Sequence, residues 1–371
     1  MFRVGVIATA RKKNGGTLPY TISMLEALAK LGAEYRCEVI TQADNREYDT
    51  LGLSVRHLPG TPSLILNRLV GREPFGAIDL LIAPVYTLKL LLAKSPFAFT
   101  LHDLQEKHYP QNFTLATRLW RDLVNRSLTA RAARILCESE YVRADILSLY
   151  GVPPEHVRVL QAPIVSSLAD TSHGPEQLDQ IRAKYSLDQY LFYPAQFWPH
   201  KNHLRLLDAF EKIATRNPNC TLVLTGQARH QYEQVFARIA ELGLQSRVRH
   251  VGHVDQAELS ALYRAATAVV IPSFFESISI PIYEAFALGV PVCASNVLAL
   301  PEQVGDAGLL FDPTNAGDMA EKMERLLREA SLRATLIERG RERVSKVTSA
   351  RYAQGLEALI GEVRLSRQSA K

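Results

Sequence analysis

Long hydrophobic runs are missing from this chain. Its most apolar region, residues 76–99, is broken by Asp79, Lys89 and Lys94, so it does not make a clean membrane span of about twenty apolar residues. Cysteine is scarce. Cys37, Cys137, Cys220 and Cys293 stand far apart and form no CxxC pair, which reads as small buried hydrophobes in a reducing compartment. The opening FRVGVIAT is a short strand pattern and not a signal peptide. There is no P-loop, GxGxxG or HExxH, no internal repeat and no low-complexity tract. An Asp-x-Asp pair, the usual carboxylate cluster for a metal-bound nucleotide sugar, is also absent. His200 and His203 are three apart, but no cysteine or acid lies near them at ligand spacing, so no metal site is expected. Neither sign of charge dominates. A net charge of +5 permits acidic partners such as nucleotides or anionic lipid without demanding them, and nothing points to nucleic acid.

What is present is alternation. Across 371 residues, long enough for two cores, short apolar β-rich runs alternate with helical patterns. The first series is RVGVIA, YRCEVIT, LSVRHL, DLLIAP, FAFTLHD, ARILCES and VRVLQAP. The second is QYLFYPA, CTLVLTG, VRHVGH, AVVIPS, PVCASN and GLLFD. Strands alternating with helices imply parallel sheets built from crossover units. The Ser-, Pro-, Gly- and Asp-rich stretch at 162–177 reads as a linker between the two series. The fold class is therefore α/β, two doubly wound domains in tandem, with ligands expected beyond the carboxyl ends of the strands.

The most informative segment is FFESISIPIYEAFALGVPV, residues 274–292. Pro281 suits a first helical turn and Gly289 suits the position just past a helix end. Glu276 then lies in the loop entering the helix, and Glu284 falls in or just after the first turn. Free N–H groups and the helix dipole favour phosphate there. Carboxylates at that point are better suited to the hydroxyls of an attached sugar or ribose. Either glutamate alone is ordinary: dipole chemistry for one, loop solvation for the other.

The segment resembles the E-x7-E signature of the retaining family-4 glycosyltransferases. The resemblance continues through Ser295-Asn296, Leu300-Pro301-Glu302, GDAGLLFDP (305–313) and, upstream, YPAQFWPHKN (193–202). It spans essentially the whole chain and is strongest over residues 190–320. It implies a GT-B fold, two facing Rossmann-like domains with an interdomain cleft. The expected divisions are an acceptor-side domain at 1–165, a nucleotide-sugar domain at 166–345, and a terminal helical segment at 346–371 returning to the first domain.

Residue by residue, the resemblance implies that Glu276 holds the sugar ring near its anomeric carbon and that Glu284 holds ribose hydroxyls. Lys201 would hold the leaving diphosphate as a point charge, although a solvated surface lysine is the ordinary reading. The family usually carries arginine where this chain has Gln196, so a second cation on the diphosphate is missing, unless Arg229 supplies it from the next loop. Ser277 and Ser279 stand where glycine is common. Serine can still cap a helix, and phosphate contact is expected around Ser279 and Ile280. In the first domain, Gly15 and Gly16 resemble the loop that approaches the donor, against the plain alternative of a flexible turn. His102, ending a strand, resembles the family's histidine near the transferred sugar, and Ser139-Glu140 resembles a motif preceding a helix.

Five arginines and one acid lie between Leu115 and Arg134, with Leu115, Leu119, Trp120, Leu123, Val124 and Leu128 at helical spacing. Packing of this amphipathic helix on its own domain is the first expectation, and contact with an anionic membrane the second. The combined expectation is a cofactor-free, metal-independent hexosyltransferase. It would use GDP-mannose by preference, or a UDP-sugar, with a glycan or lipid-linked acceptor of surface polysaccharide assembly, in the cytoplasm or at the inner membrane face. The alternatives are a nucleotide-sugar epimerase, another GT-B enzyme, or a non-catalytic nucleotide-sugar-binding homologue.

Overall fold

A computed structural model describes residues 1–11, 16–42, 44–58, 60–163 and 173–369. The chain forms two compact units, residues 1–164 with 347–371, and residues 165–346. Each of the thirteen apolar runs becomes one parallel strand. The first sheet holds β1 (Phe2–Ile7), β2 (Tyr35–Gln42), β3 (Ser54–Leu58), β4 (Leu80–Ala83), β5 (Phe97–Thr100), β6 (Arg134–Cys137) and β7 (Val157–Val159), in the order β3-β2-β1-β4-β5-β6-β7. The second holds β8 (Gln189–Pro194), β9 (Cys220–Thr225), β10 (Val248–His250), β11 (Ala268–Ile271), β12 (Val292–Ser295) and β13 (Gly308–Phe311), in the order β10-β9-β8-β11-β12-β13.

Both faces of the first sheet are buried, as a parallel sheet requires. Val4 and Val6 of β1 join one core with the helices Thr17–Ala29 and Ser349–Ser369, whereas Ile7 joins the other with Val124, Leu128 and Ile146. The period of two along the strand sorts the side chains between the two layers. The segment 162–177 is not loop throughout. Gly174, Pro175 and Gln177 open the helix Pro175–Tyr185, with Pro in the first turn and the Gln177 amide oxygen accepting from the Gly174 N–H; residues 164–172 lie outside the described residues.

The segment 274–292 folds as its punctuation dictates. The helix Ile280–Ala287 starts with Pro281 in its first turn. It ends where Gly289 takes φ 70°. There the Gly289 N–H reaches Phe286 O at 3.2 Å and the Val290 N–H reaches Ala285 O at 2.8 Å, the paired bonds of a Schellman end.

Candidate functional site

In the second unit, β8 and β11 are neighbours and the chain grows outward from them in opposite directions. Such a switch point is where open α/β sheets bind ligands, beyond the carboxyl ends of the strands. The chain leaves β8 and makes one 3₁₀ turn, Pro199–Lys201, before Asn202 adopts φ 58° and ψ 37°. Asparagine tolerates this left-handed conformation. Buried Asn202 donates from Nδ2 to Pro272 O at 2.9 Å and to Pro313 O at 3.0 Å. The Phe274 N–H donates to His200 O at 2.8 Å. These bonds stitch the lysine loop to the exits of β11 and β13.

Lys201 Nζ donates to Glu276 Oε1 at 2.6 Å. The same oxygen accepts from Ser273 Oγ at 2.7 Å. Tyr193 supports both sides, donating to Lys201 O at 2.8 Å and lying 3.3 Å from Ser273 Oγ. Burial, with Glu276 nearby, raises the Tyr193 phenol well above its ordinary pKa, so it stays a donor. Glu276 is only 9 % exposed, where an ion pair interacts more strongly than in water. A cation and a carboxylate from residues 75 apart in sequence thus share the switch point.

Glu284 has a different partner. The Tyr263 hydroxyl, from the helix Gln256–Ala265, donates to its Oε2 at 2.6 Å. Burial raises the Glu284 pKa and the Tyr263 bond only partly offsets this. Among the described residues nothing hydrogen-bonds Oε1, so one oxygen of a fixed, half-buried carboxylate remains for hydroxyl donors.

Gln196, half-buried, accepts from Trp198 Nε1 at 2.9 Å and from Arg229 Nε at 3.3 Å. The Arg229 guanidinium also lies 5.7 Å from the Trp198 ring centre, a cation–π distance. The missing charge at 196 therefore has a guanidinium beside it, from the loop after β9. Gly226, at φ +117°, lets that loop close in, because a Cβ there would stand 2.5 Å from Ala195 O.

Phosphate contact was expected around Ser279 and Ile280, and the Ser279 N–H is already engaged: it donates to Gln303 Oε1 at 2.9 Å, and Gln303 Nε2 donates back to Ser279 O at 2.6 Å. Its hydroxyl makes no cap bond and is buried without a partner among the described residues. Ser277 and Ile280 are half-buried on either side. His203 is fully buried, its ring stacked 4.5 Å from Phe197, and burial with the neighbouring Lys201 charge lowers its pKa to about 3.

In the first unit, Gly15 lies outside the described residues. Gly16 is exposed and precedes the helix Thr17–Ala29 with φ −61°, so no left-handed conformation explains it. His102, past the end of β5, points Nε2 at Pro84 O (2.9 Å) and Nδ1 at Glu138 Oε2 (2.9 Å). Tyr20 packs edge-on, 4.6 Å between ring centres. Burial alone would lower the His102 pKa, but the Glu138 bond and charge, with the Pro84 carbonyl, raise it. A carbonyl can only accept, so Nε2 carries a proton, and the ring has no lone pair free to act as a base. Ser139 is an N-cap, accepting from Val142 N at 3.2 Å. The carboxylate that meets His102 is Glu138, which the sequence reading passed over for Glu140. Ser273, Tyr193, Tyr263 and Gln303 were also missed. Only Ser273 carried a local signal, three residues before Glu276 at a strand end.

Comparison with known proteins gives consistent results. The model for glycosyl transferases group 1 matches residues 176–343, and that for glycosyltransferase family 4 matches residues 14–166. The chain is 30% identical over 249 residues to the O-antigen chain mannosyltransferase B of Escherichia coli, covering 65% of this chain and 64% of that protein. To a D-inositol 3-phosphate glycosyltransferase of Frankia alni it is 29% identical, over 87% of this chain and 88% of the relative. Among solved structures, Anabaena HepE in complex with UDP and glucose superposes with a TM-score of 0.79 at 19% identity, covering 98% of this chain and 100% of that one. WaaG, a glycosyltransferase of lipopolysaccharide biosynthesis, gives 0.71 at 17% identity, covering 96% and 98%.

Proposed function

The chain belongs to the group 1, family-4 glycosyltransferases, and from that premise we propose that it is a retaining, metal-independent enzyme moving a hexose, with mannose favoured, from a nucleotide-diphosphate sugar. The observation that carries the reading is the Lys201–Glu276 pair, 2.6 Å apart at the switch point of the second sheet. Lys201 takes the diphosphate as its new anionic partner, Arg229 beside Gln196 adds positive charge, and Ile280 and Ser277 line the approach. Charge that develops on the leaving oxygen is thereby stabilised without a metal. Glu276, released from Lys201 but still held by Ser273, accepts from sugar hydroxyls, and Glu284 accepts from the ribose through Oε1.

In the transfer step the anomeric carbon–oxygen bond to the diphosphate breaks. A bond to the acceptor oxygen forms on the same face, and the acceptor's proton passes to the departing diphosphate oxygen. His102, with both ring nitrogens engaged, serves the carbohydrate as a fixed positive group and not as a base. Gly15 and Gly16 are assigned to donor approach. GDP-mannose is favoured by the mannosyltransferase relative. UDP-sugars remain the competitor, because HepE was crystallised with UDP. The acceptor is a glycan or a lipid-linked glycan of surface polysaccharide assembly, reached from the cytoplasm with peripheral membrane contact.

A thermal-shift panel in EDTA tests this. GDP-mannose or one UDP-sugar at one hundred times its Kd adds about 2.7 kcal/mol of stability, and the product linkage keeps the donor's anomeric configuration. Inversion at the anomeric carbon, or activity that vanishes in EDTA and returns with Mg²⁺, overturns the reading.

A further inference from the structure

The helix Leu115–Thr129 does not pack in the way its periodicity suggests. Val124 and Leu128 are buried, but Leu115, Leu119, Trp120 and Leu123 are turned to solvent. They are not isolated. Of the eleven large apolar side chains that are exposed among the described residues, nine lie in three neighbouring segments of the first unit. These are Ile65 to Val70 on and after the helix Thr61–Leu69, Leu88 on the 3₁₀ turn Leu88–Leu92, and the four on Leu115–Thr129. Their exposures run from 43% to 78%.

The three segments are welded together. The 3₁₀ turn packs against both helices. Arg131 donates to Leu91 O at 2.7 Å and to Ala93 O at 3.3 Å. Lys94 donates through its ammonium to Gly71 O, and through its N–H to Glu73 Oε2 at 3.0 Å. Helix Thr61–Leu69 buries only Leu64, so its outer apolar residues contribute nothing to the core. Contiguous apolar surface of this kind marks an interaction site.

Its charge selects the partner. Residues 60–73, 87–94 and 114–131 hold eight arginines and lysines against Glu73 and Asp122. Arg121 is neutralised by Asp103 and Glu106, which lie outside these segments, and the other seven basic residues still outnumber the two acids. Exposed apolar side chains on segments with such a basic excess suit a helix lying in the boundary between headgroups and acyl chains of an anionic bilayer.

We propose that this three-segment face is a membrane-docking surface for anionic lipid, with Trp120, Leu119, Leu123, Leu66 and Leu69 entering the acyl boundary. The proposal deepens the peripheral contact included in the functional reading and rests on it. It differs from a purely electrostatic contact, because insertion persists after salt has screened the arginines.

The chain has two tryptophans, Trp120 and Trp198, which makes insertion directly readable. In a Trp198→Phe background, vesicles of phosphatidylcholine with phosphatidylglycerol should shift Trp120 emission to the blue, and lipids brominated on their acyl chains should quench it. With Trp198 left in place, Leu119→Asp with Leu123→Asp should abolish vesicle co-sedimentation while the donor-induced thermal shift is retained. Absence of the Trp120 shift and quench at low salt overturns the proposal. So does a concentration-dependent dimer in light scattering that the same double variant disrupts, since the face would then meet a second copy. Loss of the donor thermal shift with vesicle binding intact counts against the functional reading and leaves the docking face standing.

Discussion

Ser273 and Lys201 meet on one oxygen of Glu276, and the two bonds differ in what they do. In the proposed reaction Lys201 leaves Glu276 for the incoming diphosphate, whereas Ser273, just past the end of β11, keeps the carboxylate aimed. Ser273→Ala should lower kcat by about tenfold or more, because hydrogen bonds to charged groups are worth roughly 1.5–3 kcal/mol, and leave donor Kd nearly unchanged; steady-state kinetics beside calorimetric binding separates the two. Glu284→Ala should act the other way, weakening donor binding by about 1.5–3 kcal/mol. Tyr263→Phe adds a pH signature. The Tyr263 bond lowers the Glu284 pKa against the upward push of burial, so its loss raises that pKa further. In the proposed site the ionised carboxylate holds the donor, so the variant should lose affinity at a higher pH than the wild type when pH is lowered, as calorimetry across pH 5–7 would read. An unmoved acid limb would remove Glu284 from the nucleotide site. The glutamates and the lysine were legible because a proline, a glycine and a strand frame them locally. Their partners were not, since Tyr193 reaches Ser273 across 80 residues and Gln303 reaches Ser279 across 24; only the sheet order brings these together.

Strands were the most readable elements, because a parallel strand buried on both faces must be a short, continuous apolar run. Helix faces were harder. The stripe Leu115–Leu119–Leu123 looks like a core face by period alone, yet the helix buries the adjacent stripe of Val124 and Leu128. Periodicity says that an apolar face exists and does not say what covers it. The helix His203–Ala214 shows a related limit. The sequence shows its first residue, His203, only as a polar side chain two positions after Lys201, but it is buried against Phe197 and Tyr193. Its pKa falls to about 3, below the unfolded value near 6.5. Between those values the unfolded chain binds a proton that the folded one refuses. The His203 contribution to stability is therefore complete above pH 6.5 and declines as pH falls towards 3, by up to about 1.4 kcal/mol per pH unit. Urea unfolding at pH 7.5, 6 and 5 should show this acid slope in the wild type and a flatter one in His203→Phe, whose ring keeps the stacking. Equal slopes would mean that another group governs the acid limb.

At the scale of the whole molecule, the first unit is discontinuous: residues 347–371 complete it after the chain has built the second unit. Helix Ser349–Ser369 contributes Tyr352, Leu356, Leu359, Ile360 and Val363 to the same core as Val4 and Val6. Polar contacts fix its register. Glu362 accepts from Arg134 Nε at 2.8 Å and from Arg158 at 2.9 Å, and Arg367 pairs with Asp79 at 2.9 Å. Burying each large apolar side chain is worth about 1.5–3 kcal/mol, so these five together rival the roughly 5–15 kcal/mol by which a domain is stable at all. A chain ending at Lys346 should therefore lose the first unit and keep the second. Limited proteolysis should digest residues 1–164 while a fragment spanning residues 173–346 survives. The donor should still raise the melting temperature of that fragment if Lys201, Glu276 and Glu284 suffice for nucleotide binding. Leu356→Ala is the gentler test, since a buried leucine truncation costs about 2–5 kcal/mol. It should lower the melting transition of the first unit and leave the donor-sensitive transition where it was. A truncated chain whose first unit resists protease as well as the full chain does would show that the helix decorates that core and does not complete it.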